Sequence, residues 1–71
     1  MKYFLMPGVN QKTKDLFRMY DDTTSDKLNM KTGQWHMNGS MRPADHYQIT
    51  KALAQEIVLY ATMKSHLNVN K

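Results

Sequence analysis

The chain has 71 residues, ten Lys and Arg against six Asp and Glu, and no Cys, which gives a formal net charge of +4. At this length we expect a single globular domain over residues 1–71, with a core too small to stand beside a deep substrate cleft. The absence of Cys excludes disulfides, thiolate metal sites and cysteine nucleophiles, and it favours a reducing, cytoplasmic location.

The first residues form a short apolar run that Pro7 and Gly8 end. Residues 3–6 are too few for a signal peptide, and a membrane span needs roughly 20 apolar residues. We therefore expect a soluble chain with no membrane association, and we interpret the run as the first strand. The polar residues that follow, 9–14, predict a loop.

Three further segments are predicted to be strands. The first is rich in residues that favour strands, and in the other two apolar and polar residues alternate. They are residues 16–20, 27–31 and 34–38, separated by the polar cluster 21–26 and the turn Thr32-Gly33.

The last two of these segments pair well as an antiparallel hairpin. With Met30 opposite Trp35 and Leu28 opposite Met37, apolar residues face apolar residues at every step.

Segments 16–20 and 27–31 are predicted to pair antiparallel, with Met19 opposite Leu28. We expect their ladder to end at Tyr20 and Lys27, because one more step would place Asp21 beside Asp26.

This pairing predicts a sheet with two different faces. The apolar face would hold Phe17, Met19, Leu28, Met30, Trp35 and Met37. The polar face would hold Leu16, Arg18, Tyr20, Lys27, Asn29, Lys31, Gln34 and His36. The apolar face must be covered, and the C-terminal segment is the only one available to cover it.

Residues 50–66 predict a helix with Thr50 as its N-cap. The expected inner line, at i, i+4 and i+7, is Leu53, Ile57, Tyr60, Ala61 and Lys64, with Ala54, Val58 and Leu67 beside it. Whether the turn at 43–48 joins this helix stays open. The predicted fold class is α+β: an antiparallel sheet of three or four short strands, covered on one face by one long C-terminal helix.

Signals for chemistry are weak. The acids Asp21, Asp22 and Asp26 lack the Gly and Glu of a calcium loop, so a solvated hairpin loop is the better interpretation. The three His residues stand 10 or 20 positions apart, which does not match helical metal-ligand spacing. No Ser lies in a nucleophile-elbow motif. We expect no enzyme, no bound metal and no cofactor.

The polar sheet face is the candidate binding site, through Arg18, Tyr20, Lys27, Lys31 and His36. Such a face suits a protein partner, and the alternative is a nucleic acid, whose bases would stack on Tyr and whose phosphates the cations would neutralise. An ordinary solvated face is the plain alternative to both.

Two further questions stay open at this stage. Trp35 belongs either to the core, which we favour, or to an interface. A homodimer is an additional option, because a second copy would bury apolar surface that one helix leaves uncovered.

Three stretches together resemble small proteins of phages and low-GC Gram-positive bacteria. They are Leu16-Phe17-Arg18-Met19-Tyr20, the segment 27–35 that ends in Gly-Gln-Trp, and Asp45-His46-Tyr47-Gln48-Ile49-Thr50. The resemblance covers about residues 16–60 and implies a strand, a hairpin and a helix entry. It also implies an accessory factor or an inhibitor that binds a host protein, and it assigns no functional residues.

Overall fold

A computed structural model describes residues 1–8 and 13–69, with side chains up to residue 67. The strands are β1 (Lys2–Pro7), β2 (Lys14–Asp21), β3 (Thr24–Asn29), β4 (Gln34–Met37) and β5 (Gln48–Ile49), and the helix is α1 (Lys51–Val69). The α+β prediction is confirmed, with one more strand than expected. The predicted loop at 9–14 falls largely outside the described residues.

The five strands form one antiparallel sheet in the order β4-β3-β2-β1-β5. The unexpected strand, β5, has only two residues, and Ile49 pairs with Tyr3 at the edge of the sheet. A single turn of 3-10 helix, Asp45–Tyr47, precedes β5. The turn in segment 43–48 therefore does not join α1, because the extended strand β5 and Thr50 lie between them.

The pairing of β3 with β4 differs from the prediction by two positions. Leu28, rather than Met30, lies opposite Trp35. The loop takes four residues, 30–33, and Gly33, with a φ of 77°, donates its N–H to the Asn29 carbonyl at 2.7 Å. A shift of two keeps every side chain on its expected face, so the relative placement of β3 and β4 side chains is confirmed.

The pairing of β2 with β3 contradicts the prediction. Phe17 lies opposite Lys27 and Arg18 opposite Asp26, where we had expected Met19 opposite Leu28. An odd shift moves every side chain of a strand to the other face of the sheet. The helix face of the sheet therefore holds Tyr3, Leu5, Leu16, Arg18, Asp26, Leu28, Trp35 and Ile49, and the far face holds Phe4, Phe17, Met19, Ser25, Lys27 and His36.

A tight turn explains the change of register. The loop from β2 to β3 has two residues rather than six, because the Asp21 carboxylate accepts hydrogen bonds from the Thr23 N–H and hydroxyl, both at 2.8 Å. An irregularity between Met19 and Asp21 leaves Tyr20 as an extra residue on β2. Asp26 consequently faces Arg18 instead of Asp21, and the like-charge contact does not arise.

The helix begins where the sequence predicts. The Thr50 hydroxyl accepts the Leu53 N–H at 3.1 Å, which confirms Thr50 as the N-cap. Ala54 and Ala61, seven residues apart, are fully buried. They pack in one core cluster with Leu16 and Leu28, and around it lie Tyr3, Leu5, Trp35, Ile49, Ile57 and Val58. Small residues on this side let the helix approach the sheet closely.

The far face is partly covered by the segment between β4 and the 3-10 turn, which crosses from one edge of the sheet to the other. Ser25, fully buried, donates its hydroxyl to the Gly39 carbonyl at 2.5 Å and accepts the Asn38 side-chain amide at 3.2 Å. Phe4 and Met19 are buried on the same face. The helix covers one face of the sheet as predicted, and this segment partly covers the other face, which the sequence did not predict.

Candidate functional site

The five residues predicted to form one binding face do not share a face. Arg18 and Tyr20 lie on the side that carries the helix, Lys27 and His36 lie on the far face, and Lys31 belongs to the four-residue turn. The cause is the register of β2 against β3, which exchanges the faces of β2 alone. Whether any of these residues contacts a partner stays a prediction.

Arg18 and Tyr20 are engaged inside the molecule. The Arg18 Nε donates to the Asp26 carboxylate at 2.8 Å, and the Tyr20 hydroxyl donates to the same oxygen at 2.6 Å. The Arg18 guanidinium lies 4.3 Å from the centre of the Trp35 ring and 5.7 Å from that of Tyr20. Trp35 is half-buried beneath this cation and packs against the core, so its main role within the molecule is in packing.

The hydrogen bonds of this cluster shift the pKa values of two of its groups, Asp26 and Tyr20. The Tyr20 hydroxyl and then the Arg18 guanidinium stabilise the charged carboxylate and hold the pKa of Asp26 below its usual value. The same bond to Asp26 raises the pKa of Tyr20, because the phenol is held as a donor. The Asp26 carboxylate thus compensates the charge of Arg18.

The cations on the far face are more accessible. The Lys27 ammonium lies 3.8 Å from the Asp15 carboxylate, in a loose surface ion pair, and His36 is exposed beside it. The nucleic-acid hypothesis required these cations and the stacking ring of Tyr20 to look outward together. The structure separates them, so that particular argument for nucleic acid no longer holds.

A cavity of about 320 Å³ lies at one end of the far face. It is bounded by Phe4 and Met19, by Arg42 and Pro43 of the crossing segment, and by Asp21 with other acids of the sheet end. Across residues 1–8 and 13–69, no three His, Asp or Glu side chains gather as a metal site would require. Nor does any helix in that part of the chain have the length and apolarity to cross a membrane.

The solvent side of α1 is the surface that stands out. Five large apolar side chains are exposed there, and we call them the outer stripe: Leu53 (42%), Leu59 (60%), Tyr60 (56%), Met63 (57%) and Leu67 (69%). Most of them, with Glu56 and Lys64, line a shallow groove of about 420 Å³. Contiguous exposed apolar patches of this kind are typical of interaction surfaces.

The helical prediction was wrong for part of this side. Leu53, Tyr60 and Leu67 were expected on or beside the inner line, yet all three are exposed, whereas Ala61 and Ala54, expected there as well, are buried. The buried line is thus that of Ala54 and Ala61, one residue further along than Leu53 and Tyr60. Because successive residues of a helix differ by about 100° in direction, the two lines lie side by side. The signal that was missed is the pair Leu59 and Met63, apolar residues outside the expected inner line.

Comparison with family models, with curated proteins and with solved structures finds no match for this chain. The resemblance to small phage and Gram-positive proteins therefore stays a prediction. What can be argued about function comes from the surfaces themselves.

Proposed function

We propose that this chain is a non-catalytic protein-binding domain and that the outer stripe of α1 is its contact surface. The observation that carries the proposal is the simultaneous exposure of five large apolar side chains along one side of the only long helix among the described residues. Exposing them costs hydration free energy that a bound protein would recover, at roughly 25 cal/mol per Å² of apolar surface.

The composition of the stripe supports a protein contact. Tyr and Met are enriched in the buried centres of protein interfaces, and a flexible Met adapts to an irregular partner. Tyr60 lies in the middle of the stripe, flanked by Leu59 and Met63. Two charged residues, Glu56 and Lys64, border the apolar centre and would supply a polar rim.

The shape of the surface indicates what kind of protein element fits. It runs from Leu53 to Leu67 along a helix, a length of about 21 Å at 1.5 Å per residue. An elongated apolar helix surface of this form packs against the apolar side of another α-helix. The partner is therefore expected to offer an amphipathic helix.

The test is a co-expression experiment. A tagged copy and an untagged copy are produced together in a bacterial host, and mass spectrometry quantifies every protein that the tagged copy retains. The stripe variant is Leu59→Gln with Met63→Gln, since Gln keeps helix propensity and removes apolar area. The matched control is Lys27→Gln with His36→Gln on the far face. We expect retention to fall at least tenfold for the stripe variant and to be unchanged for the control.

Circular dichroism of both variants must show the wild-type fold. Retention that is equal for wild type and stripe variant contradicts the proposal. Loss in the far-face variant instead would return the contact to the cations first predicted. The role of accessory factor or host inhibitor, which the phage resemblance implies, is part of this proposal only if a host protein is the one retained.

A further inference from the structure

The outer stripe has an internal symmetry along the helix. Leu53 and Leu67 each lie seven residues from Tyr60, while Glu56 and Lys64 each lie four residues from it. At about 100° per residue, these five positions point within roughly 40° of the direction of Tyr60. Read outward from Tyr60, both directions give a charged residue and then a leucine, and the two charges are opposite in sign.

This order is complementary to itself when it is reversed. An antiparallel copy, related by a two-fold axis at Tyr60, would place its Leu67 on Leu53 and its Lys64 on Glu56. The axis makes each contact occur twice, as in any isologous interface. A parallel copy would instead place Glu56 on Glu56 and Lys64 on Lys64, which is unfavourable.

We propose that the occupant of the outer stripe is a second copy of this chain, paired helix to helix, antiparallel, about Tyr60. This inference rests on the proposed function and names its partner. Glu56 and Lys64 are exposed, and neither appears in an ion pair within the part of the chain that the structure describes. Both charges are thus available to a neighbour.

The rest of the surface agrees with this arrangement. The central line of the stripe, at Tyr60, lies about 100° around α1 from the buried Ala61, and Leu59 and Met63 lie still farther from it, so the second helix would pack beside α1 rather than against the sheet. Leu59 and Met63 flank the central line on one side and add apolar area to it. One helix pair over this length buries less than the roughly 800 Å² per partner of a standard interface, so we expect a weak, micromolar dimer.

Charge exchange is the first test. Glu56→Lys makes both rim positions positive, and Lys64→Glu makes both negative. Sedimentation equilibrium over a concentration series should show each variant dimerising about tenfold more weakly than wild type, because two attractive contacts become repulsive. An equimolar mixture of the two variants should regain dimers of near wild-type affinity. A mixture as monomeric as its components overturns the pairing.

Disulfide trapping tests the orientation, and it is clean because the native chain has no Cys. Facing helices 8–10 Å apart bring opposed Cα atoms to about 5 Å, within disulfide reach. Tyr60→Cys alone should cross-link. Leu53→Cys or Leu67→Cys alone should not, while a mixture of the two should. Cross-linking of Leu53→Cys by itself, or of Tyr60→Cys no faster than a far-face His36→Cys control, contradicts the proposed geometry.

The two proposals can fail separately in the co-expression experiment. Stripe-dependent retention of the untagged copy supports both. Stripe-dependent retention of a host protein without the untagged copy overturns self-pairing and leaves the protein-binding function standing. No stripe-dependent retention at all, with a monomeric wild-type chain, overturns both.

Discussion

The two sides of α1 carry apolar residues of different size and opposite exposure. The inner side presents Ala54 and Ala61, both buried, whereas the outer side presents Leu59 and Met63, both more than half exposed. If apolar size alone decided burial, the helix would be turned the other way. The inner side is buried because its small residues allow a close fit to the sheet and to the turn beside Gly33, whose hypothetical Cβ would meet the backbone of Thr62.

The largest difference between the two sides should come from matched leucine truncations. Leu16→Ala removes a fully buried side chain beneath the helix and should lower the free energy of unfolding by about 2–5 kcal/mol. Leu59→Ala, the same change on the outer stripe, should shift it by less than about 0.5 kcal/mol. Urea denaturation at low protein concentration measures both, and equal losses would show that the outer side is also packed.

A glycine pair sharpens the role of the turn against the inner side. A Cβ on Gly33 would lie 2.9 Å from the Thr62 nitrogen and Cα, and its φ is 77°. Gly39 has a φ of 90° but no atom within 4 Å of such a Cβ. We expect Gly33→Ala to cost roughly 3 kcal/mol, from backbone strain and displacement of the helix, and Gly39→Ala about 1 kcal/mol, from strain alone.

Thermal unfolding of the two glycine variants gives the comparison. Similar losses for both would mean that the turn yields without moving the helix. In that case the close contact with Thr62 would not determine which side of α1 is buried.

Enlarging an inner residue tests how close the fit is. Ala61→Leu adds volume at a site with 1% exposure and should destabilise the fold by about 2 kcal/mol. Ala52→Leu, at an exposed position of the same helix, should change stability by less than about 0.5 kcal/mol. Guanidinium unfolding reports both values, and a tolerated Ala61→Leu would indicate a loose inner contact.

The smallest effect is expected from removing the charge of Asp26, which lies on the side of the sheet that carries the helix. The folded-state pKa of Asp26 is lowered, so its contribution is present above its unfolded-state pKa of about 4 and disappears as the pH falls through the folded value. Asp26→Asn should therefore be less stable than wild type at neutral pH, by at most about 1 kcal/mol because the cluster is partly solvated.

The measurement is the difference in unfolding free energy between wild type and Asp26→Asn from pH 7 downward. It should shrink as the pH falls below about 4. A difference that stays constant with pH would mean that the hydrogen bonds to Asp26 do not depend on its charge.

Local signals determined how much of this fold could be predicted. The N-cap at Thr50, the length of the helix and the facing of β3 with β4 follow from short-range chemistry and from alternation, and all three are present. The sheet edge formed by Gln48–Ile49 could not be predicted, because two residues carry no periodic pattern.

The register of β2 depended on a choice between two turns. Repulsion between Asp21 and Asp26 suggested a six-residue loop, but the Asp21 side chain caps a two-residue turn instead, and Arg18 compensates Asp26. That choice moved Arg18 and Tyr20 away from Lys27 and His36. Neither partner of such a compensating pair can be recognised before the register is known.

The side of the helix that faces the sheet was equally undetermined by its pattern. Leu53 and Tyr60 form one apolar line and Ala54 and Ala61 form the neighbouring one, with the same spacing. Hydrophobicity favours the first line and close approach favours the second. The packing of the alanines on the sheet and of the Gly33 turn on Thr62 distinguishes them, and both are tertiary contacts.

The crossing segment has a consequence for how the chain folds. β1 lies near the start of the sequence, and its outer neighbour β5 is reached only after the chain has passed over the whole far face. The β2–β3 hairpin closes locally, whereas the β1–β5 ladder must wait for a long closure. We expect folding in milliseconds or slower, with the β5 edge forming last and its amides exchanging hydrogen before those of β2.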